Sequence, residues 1–290
     1  MNNKNICIIG MGFVGLTIGL ILAKKGFNVV GIEKNKKILS SLNAGYAHFY
    51  EPGIDSLLNR LKKNGKIKIF KKIPKKKYLA FLITVGTPLN KSKKIDTKYI
   101  KETASEVAKN ISDNNLVILR STVAIGTTRK IIDPILKKSK KKYYLSFCPE
   151  RTLEGKALKE LVKLPQIIGG IDKKSAILSK KIFSKITNKT FIVSDLETAE
   201  MIKLVDNANR DVFFAYSNEI ANVCNGYGIN TSEVIRIGKK NYPRTNLPVP
   251  GLVGGPCLEK DPHILVQGSV DQNRILPNIT LSARKLNENT

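Results

Sequence analysis

Tryptophan is absent from the 290 residues, and histidine and cysteine are sparse, at two and four copies. Only His48 and His263 could join Cys7, Cys148, Cys224 and Cys257 around a metal, and no two cysteines are closely spaced. That argues against both a zinc cluster and a disulfide framework. The expectation is a reduced, cytoplasmic protein without structural metal. Acidic residues are also in deficit, 23 against 50 basic ones, for a formal net charge of +27. Such a charge ordinarily points to nucleic acid or an anionic membrane surface. Here, however, only nine of the basic residues are arginine. The lysines gather in runs such as 71–77 and 137–142 with little aromatic interleaving, whereas nucleic-acid grooves favour arginine and stacking platforms. Solvated lysine faces are the better reading, with no nucleic-acid partner, and an anionic small-molecule substrate stays compatible with the charge.

Long apolar runs are lacking too, with one exception. Residues 6–23 carry no charge, and Gly15 and Gly19 have the spacing of a membrane helix-packing motif. Gly10, Gly12, Gly15 and Gly19 interrupt the run, it opens with the strand-like Ile6-Cys7-Ile8-Ile9, and a second strand ending in an acid follows. A strand, turn and helix of a soluble domain account for all of this, and no membrane partner is expected. A length of 290 residues exceeds what one compact core usually holds. Two domains are expected, residues 1–195 and 196–290.

In the first, residues 5–9 read as a buried strand, Gly10 to Gly15 as a turn and 16–25 as a helix closed by Gly26; a second strand over 28–32 finishes at Glu33. This is a dinucleotide-binding unit. Gly10 makes the tight turn, Gly12 lets a pyrophosphate reach the backbone beside Phe13 and Val14, Gly15 lets the helix pack on the strand, and Glu33 holds the adenosine ribose. The Glu33 carboxylate would repel a 2′-phosphate, so NAD is the expected cofactor. Short apolar runs at 79–84, 116–120, 144–147, 166–171 and 190–193, with helical stretches at 97–111, 127–138 and 173–186, extend this into a doubly wound Rossmann-type parallel sheet of α/β class. Ligands bind such sheets beyond the carboxyl ends of the strands. There lie Thr87, Thr122 and the run Glu150, Arg151, Thr152.

Asp195 suits the cap of a long central helix over 196–225, stopped by Gly226 and Gly228. Lys203, Asn207 and Arg210 fall at i, i+4 and i+7 on one face of it, which without further context is a solvated stripe. Further on, residues 250–262 place Cys257 on a bend with Gly251, Gly254 and Gly255, followed by Lys260 and Asp261. Glycines allow close approach and unusual backbone, and the charges lie beside the sulfur, as a chain presenting a thiolate requires. The plain alternative is a small buried residue, as free cysteines often are.

Together these motifs resemble the nucleotide-sugar 6-dehydrogenases, which include UDP-glucose, GDP-mannose and UDP-N-acetylmannosamine dehydrogenases. The residues that carry the resemblance are the glycine turn, Glu51-Pro52-Gly53, Thr87-Pro88, Ser121-Thr122 with Gly126-Thr127-Thr128, Pro149-Glu150-Arg151-Thr152-Leu153-Glu154-Gly155, the helix start from Glu197 to Asn207, and Gly254-Gly255-Pro256-Cys257 with Lys260-Asp261.

The resemblance implies oxidation of a sugar C6 alcohol to a carboxylate by two hydride transfers to NAD, serving surface polysaccharide synthesis. Cys257 would trap the aldehyde, Lys203 and Asn207 would serve proton transfer and the oxyanion, and Asp261 would position Lys203 and water. Glu150, Glu154 and Thr122 would line the water and the nicotinamide, with Thr87 also on the cofactor, although the two glutamates also read as loop and helix-start acids. Arg151, Thr152, Lys203, Asn207, Arg210, Arg244 and Gly254 would contact the substrate, and Arg244 would come from the second subunit of a homodimer built on an all-helical dimerisation region.

Pro149-Glu150-Arg151, Arg210 and Tyr242-Pro243-Arg244 favour UDP-N-acetylmannosamine, while Lys260-Asp261 is nearer the UDP-glucose and GDP-mannose pattern. Family members continue into a further nucleotide-binding α/β domain, so the resemblance also implies a chain without that domain, and an inactive NAD-binding remnant is one alternative. Another is a 3-hydroxyacid dehydrogenase, which shares the dinucleotide fold and the helix lysine but needs no thiol.

Overall fold

The apolar run after Asn5 leaves no face for water, and the chain buries it as the strand β1 (Asn5–Ile9) within one eight-stranded sheet. This computed structural model describes residues 3–90, 92–255, 257–273 and 275–290. After β1 come α1 (Phe13–Lys24), β2 (Asn28–Ile32), α2 (Lys36–Ala44), α3 (Ile54–Lys63), β3 (Ile67–Phe70) and β4 (Ala80–Ile83). The chain continues through α4 (Lys98–Asn110), β5 (Asn115–Leu119), a π-helical turn (Thr128–Ile132) that leads into α5 (Asp133–Lys137), and β6 (Tyr143–Phe147). Next are α6 (Ala157–Lys163), β7 (Gln166–Gly170), α7 (Lys173–Phe183) and β8 (Thr190–Ile192). Four helices follow: α8 (Leu196–Gly226), α9 (Thr231–Gly238), α10 (Asp261–Asn273) and α11 (Asn278–Asn289).

The strand order is β3-β2-β1-β4-β5-β6-β7-β8. It is Rossmann-type and mostly parallel, with one departure from the expected all-parallel sheet. β7 runs antiparallel to β6, pairing Ser146 with Gly170 and Phe147 with Gly169. A parallel neighbour needs a crossover back to the opposite edge, whereas an antiparallel one starts from the edge at which its predecessor ends. The segment 148–165 therefore stays at the carboxyl edge of β6. Four elements before α8, namely α2, α3, α6 and β3, have no counterpart in the sequence reading. The last alternates buried and exposed residues at the sheet's edge, where Lys68 faces out between Ile67 and Ile69.

The chain divides into two compact units, residues 1–87 with 96–200, and residues 88–95 with 201–290. The first holds the sheet and its covering helices. In the second, α8 from Met201 onward is joined by α9, α10 and α11, and residues 88–95 add a bridge between Leu89 and Ile95. Asp195 caps α8 as its position predicts, accepting from the Thr198 N–H at 2.7 Å. Among the described residues no helix is long and apolar enough to cross a membrane.

The glycine turn after β1 is where sequence dictates geometry most directly. Gly10 has φ +94°, a conformation side chains disfavour. A Cβ on Gly15 would drive into the carbonyl oxygen of Gly10, while a Cβ on Gly12 would meet nothing within 4 Å. The two positions therefore answer to different constraints. Gly15→Ala is expected to cost about 1–3 kcal/mol by overpacking, seen as a lowered thermal midpoint. Gly12→Ala should keep the midpoint and lose NAD affinity by calorimetry, because only a ligand would need that space; equal loss of stability in both variants would refute the distinction.

Candidate active site

In the first unit the predicted dinucleotide residues assemble at the carboxyl ends of β1, β2, β4 and β5. Gly12 ends the turn with no side-chain cap on α1, and a Cβ there would meet nothing within 4 Å, so the helix N-terminus has room beside it, the arrangement that receives a pyrophosphate. Phe13 and Val14 form its first turn, and Phe13 packs edge-on against Phe49 with ring centroids 5.1 Å apart. Glu33 accepts from the N–H of Met11 at 3.1 Å and of Asn35 at 2.8 Å, one on each oxygen. A carboxylate held this way keeps acceptor capacity for a pair of ribose hydroxyls. Thr84 ties β4 to the turn by donating to Gly10 O at 2.7 Å, and Thr87 donates to Thr122 O at 2.8 Å. These residues fit a dinucleotide.

Glu150 is buried in an ion pair. Its Oε2 takes two bonds from Arg120, from Nε at 3.2 Å and Nη2 at 2.8 Å, and its Oε1 accepts from the N–H groups of Arg151 and Thr152. Arg120 is also bound to Cys148 O and Gln166, and its side chain is fully buried. Burial pushes the Glu150 carboxyl up, but the Arg120 guanidinium and the two N–H groups outweigh it and hold it below the ordinary carboxylate range. Glu150 is thus a fixed anion that shapes the turn carrying Arg151 and Thr152. Thr152 Oγ1 is buried with no hydrogen-bond partner among the described residues, and Glu154 is exposed beside Gly155.

Sequence reasoning missed Glu200, in the first turns of α8. Buried, it accepts from the N–H groups of Gly126 and Thr128 and from the Thr128 hydroxyl, gripping the loop that follows Thr122. Burial raises it to about 7 despite those bonds. Glu197 is paired instead with Arg129 at 2.7 Å and is held below its usual range, chiefly by that bond. The available signal was a glutamate three residues before Lys203 on a helix whose neighbouring face is apolar.

In the second unit Lys203 and Asn207 are both buried on α8, and Asn207 donates to Asp261 Oδ2. Asp261 opens α10, and its N–H donates to Cys257 O at 2.9 Å, so the cysteine turn and the carboxylate form one local structure. Burial raises Asp261 above its ordinary value against the pull of Lys260, Lys203 and Asn207, and its Oδ1 has no hydrogen-bond partner among the described residues. Cys257 itself is exposed. Cys7, Cys148 and Cys224 are buried; desolvation pushes Cys148 up to about 12 and Cys7 higher still, which holds both as thiols. Among the described residues no three metal-ligating side chains cluster. The arrangement brings together an exposed thiol, a buried lysine, an amide and a carboxylate, the parts of a nucleophilic site. Arg210 and Arg244 do not join it. Both are exposed, and the Arg244 guanidinium stacks 5.1 Å from the Tyr242 ring centre. Gly254 is exposed too, in the cysteine turn, while Pro256 lies outside the described residues.

Two family models match this chain. One, described as the UDP-glucose/GDP-mannose dehydrogenase family, NAD binding domain, covers residues 4–187, and the other, the same family's central domain, covers 197–289. A UDP-N-acetyl-D-mannosamine dehydrogenase of Methanococcus vannielii is 38% identical over 98% of the chain, which spans 65% of that relative's length. An NDP-N-acetyl-D-galactosaminuronic acid dehydrogenase of Ralstonia nicotianae is 31% identical, over 98% of this chain and 69% of its own length. Among solved structures, the UDP-D-ManNAc dehydrogenase of Pyrococcus horikoshii superposes with a TM-score of 0.92 at 33% identity, over 98% of this chain and 68% of that one.

Two outcomes follow from the carboxylates. Removing one partner of a buried ion pair costs roughly 3–5 kcal/mol, so Glu150→Gln should lower stability in urea titrations by an amount of that order, whereas a glutamate serving only as a base would leave it unchanged. Glu200, raised when folded, contributes stability that is full below its unfolded value and is lost as pH rises towards about 7. The stability difference between the wild type and Glu200→Gln should therefore shift against the wild type between about pH 4.5 and 7; a flat difference curve would show that burial does not raise this group.

Proposed function

The chain belongs to the UDP-glucose/GDP-mannose dehydrogenase family, and on that premise we propose that it oxidises the C6 alcohol of a nucleotide sugar to the uronic acid, with NAD as hydride acceptor. The observation that carries the reading is the exposed Cys257 in the turn that leads into α10, bound through Asp261 to Asn207 on the helix that also buries Lys203. The favoured substrate is UDP-N-acetyl-D-mannosamine. It is supported by relatives bearing that name at 38% and 33% identity and by the Pro149-Glu150-Arg151 and Tyr242-Pro243-Arg244 runs. UDP-glucose and GDP-mannose are the alternatives. A chain with a net charge of +27 suits so anionic a substrate.

NAD, held by the glycine turn and Glu33, would supply the hydride acceptor, one molecule for each of the two oxidations. In the first, the alcohol gives its hydroxyl proton to Lys203, acting as base beside Asp261, and with loss of a hydride becomes the aldehyde. The Cys257 thiolate then adds to the aldehyde carbon, and the oxygen that gains the electron pair is met by Lys203 and the Asn207 amide. Hydride loss from this thiohemiacetal gives a thioester. Water adds to the thioester carbon, Asp261 takes its proton, the carbon–sulfur bond breaks, and carboxylate and thiol result. Thr122 and Glu154 are assigned to the nicotinamide and water, Arg151, Thr152, Arg210, Arg244 and Gly254 to substrate, and Glu150 to fixing the turn at 151–152. A homodimer in the cytoplasm, supplying uronic acid units for surface polysaccharide, completes the proposal.

The test is stoichiometry. Wild-type protein with UDP-N-acetylmannosamine should release two NADH for each acid formed, as expected for two hydride transfers. Cys257→Ser should cut acid formation at least roughly a thousandfold, as nucleophile removal does, while leaving NAD affinity intact. Full activity in Cys257→Ser would overturn the mechanism and favour a hydroxyacid-type dehydrogenase.

A further inference from the structure

The ends of the cysteine turn are fixed by a charged cluster outside the proposed mechanism. Arg284 on α11 is almost wholly buried, and its Nη1 donates to Asp211 Oδ1 on α8 at 2.6 Å. The same guanidinium reaches two carbonyls that flank the turn, Leu258 O at 3.1 Å from Nη1 and Val253 O at 3.3 Å from Nη2. Asn287, one turn further along α11, donates to the backbone and side-chain oxygens of Asp211 at 2.8 and 3.0 Å. Asn218 on α8 holds the approach to the turn, accepting from Gly251 N at 2.8 Å and donating to Gly251 O at 3.1 Å and to Asn287 at 3.2 Å. All four side chains are buried, yet the segment they grip is exposed at Gly254, Gly255 and Cys257, with Gly255 at φ +91°.

We infer that Arg284, oriented by Asp211 and Asn287, is a positioning residue that clamps residues 253–258 and so fixes where Cys257 presents its sulfur. A buried ion pair is weak as a source of stability, since well-packed apolar residues of similar volume often serve as well or better. What an apolar pair lacks is direction. The guanidinium carries five N–H groups in a rigid fork, which lets one charge satisfy a carboxylate and two carbonyls on either side of the turn. A lysine can neutralise Asp211 but offers no such fork. The clamp also keeps the turn joined to the start of α10, where the Cys257 carbonyl accepts from Asp261 N and the helix N-terminus favours a thiolate.

As a role in catalysis this rests on the proposed cysteine mechanism, and the experiment separates the two. Amide hydrogen exchange of the peptide spanning 251–258 and the rate of Cys257 alkylation by iodoacetamide, located by mass spectrometry, are measured without any turnover. The variants are Arg284→Lys and the double variant Asp211→Leu with Arg284→Met, the latter retaining burial without charge. Each hydrogen bond to a charged group is worth roughly a factor of ten or more in the opening equilibrium, so exchange should rise at least tenfold in both variants. Alkylation at pH 7 should slow at least threefold, and kcat for acid formation should fall at least tenfold with KM for NAD within twofold.

Ile235→Ala, which removes a buried side chain of α9 that makes none of these bonds, lowers stability while leaving the clamp's own groups in place and should move neither exchange nor alkylation. Unchanged exchange in the double variant, or equal effects in Ile235→Ala, would overturn the clamp. Faster exchange with unchanged alkylation and kcat would reduce it to packing. A wild type inactive on every nucleotide sugar sinks the proposed function while exchange and alkylation still decide the clamp.

Discussion

A charge removed from water must meet its opposite inside the protein, and this single constraint determines which loops hold still. Stripping a guanidinium or carboxylate of solvent costs several kcal/mol that only close, well-directed partners recover. The first unit meets the requirement with Arg120 and Glu150, and the second with Arg284 and Asp211. In each case the leftover hydrogen-bonding capacity is spent on backbone rather than on another side chain alone. Glu150 takes the N–H groups of Arg151 and Thr152, and Arg284 takes the carbonyls of Val253 and Leu258. A buried ion pair thus becomes a device for shaping a turn.

Glu200 shows the same constraint answered differently. Among the described residues no cation is paired with it; its oxygens are met by two backbone N–H groups and one hydroxyl. Dipoles compensate a carboxylate less completely than a charge does, so burial still raises it to about 7, whereas Glu150 beside its arginine sits below the ordinary range. The contrast lies in the partners, since both carboxylates are buried.

This explains what was legible in the sequence and what was not. The glycine turn could be read because its constraints are local: Gly10 needs a positive φ, Gly15 needs the absence of a side chain against Gly10, and both lie within one motif. The strands flanking it were read nearly to the residue, since a buried parallel strand is a short apolar run with clear ends. β3 escaped because an edge strand shows half its side chains to water and so carries lysine. β7 was read as a strand but not as antiparallel, because direction depends on where the preceding segment leaves the sheet, which composition does not record. Glu150 stood out in the sequence, but its ion pair did not. Its partner Arg120 lies 30 residues earlier, at the end of another strand, and no local pattern joins them. Arg284 and Asp211, 73 residues apart, were invisible for the same reason.

The cysteines bring the argument to chemistry. All four are thiols of the same kind in sequence, and three of them vanish from consideration once burial is known. Desolvation disfavours the thiolate, so Cys7 in β1 and Cys148 beyond β6 are inert for the same physical reason that makes them good core residues. Cys257 escapes because its turn is built on glycines and held from beneath by side chains that are themselves buried. Exposure without a scaffold would give a mobile thiol, and a scaffold without exposure would give a protonated one. The two needs meet where a polar cluster grips the ends of a turn and leaves Gly254, Gly255 and Cys257 exposed, so the proposed reactivity of Cys257 would rest on buried residues outside the turn.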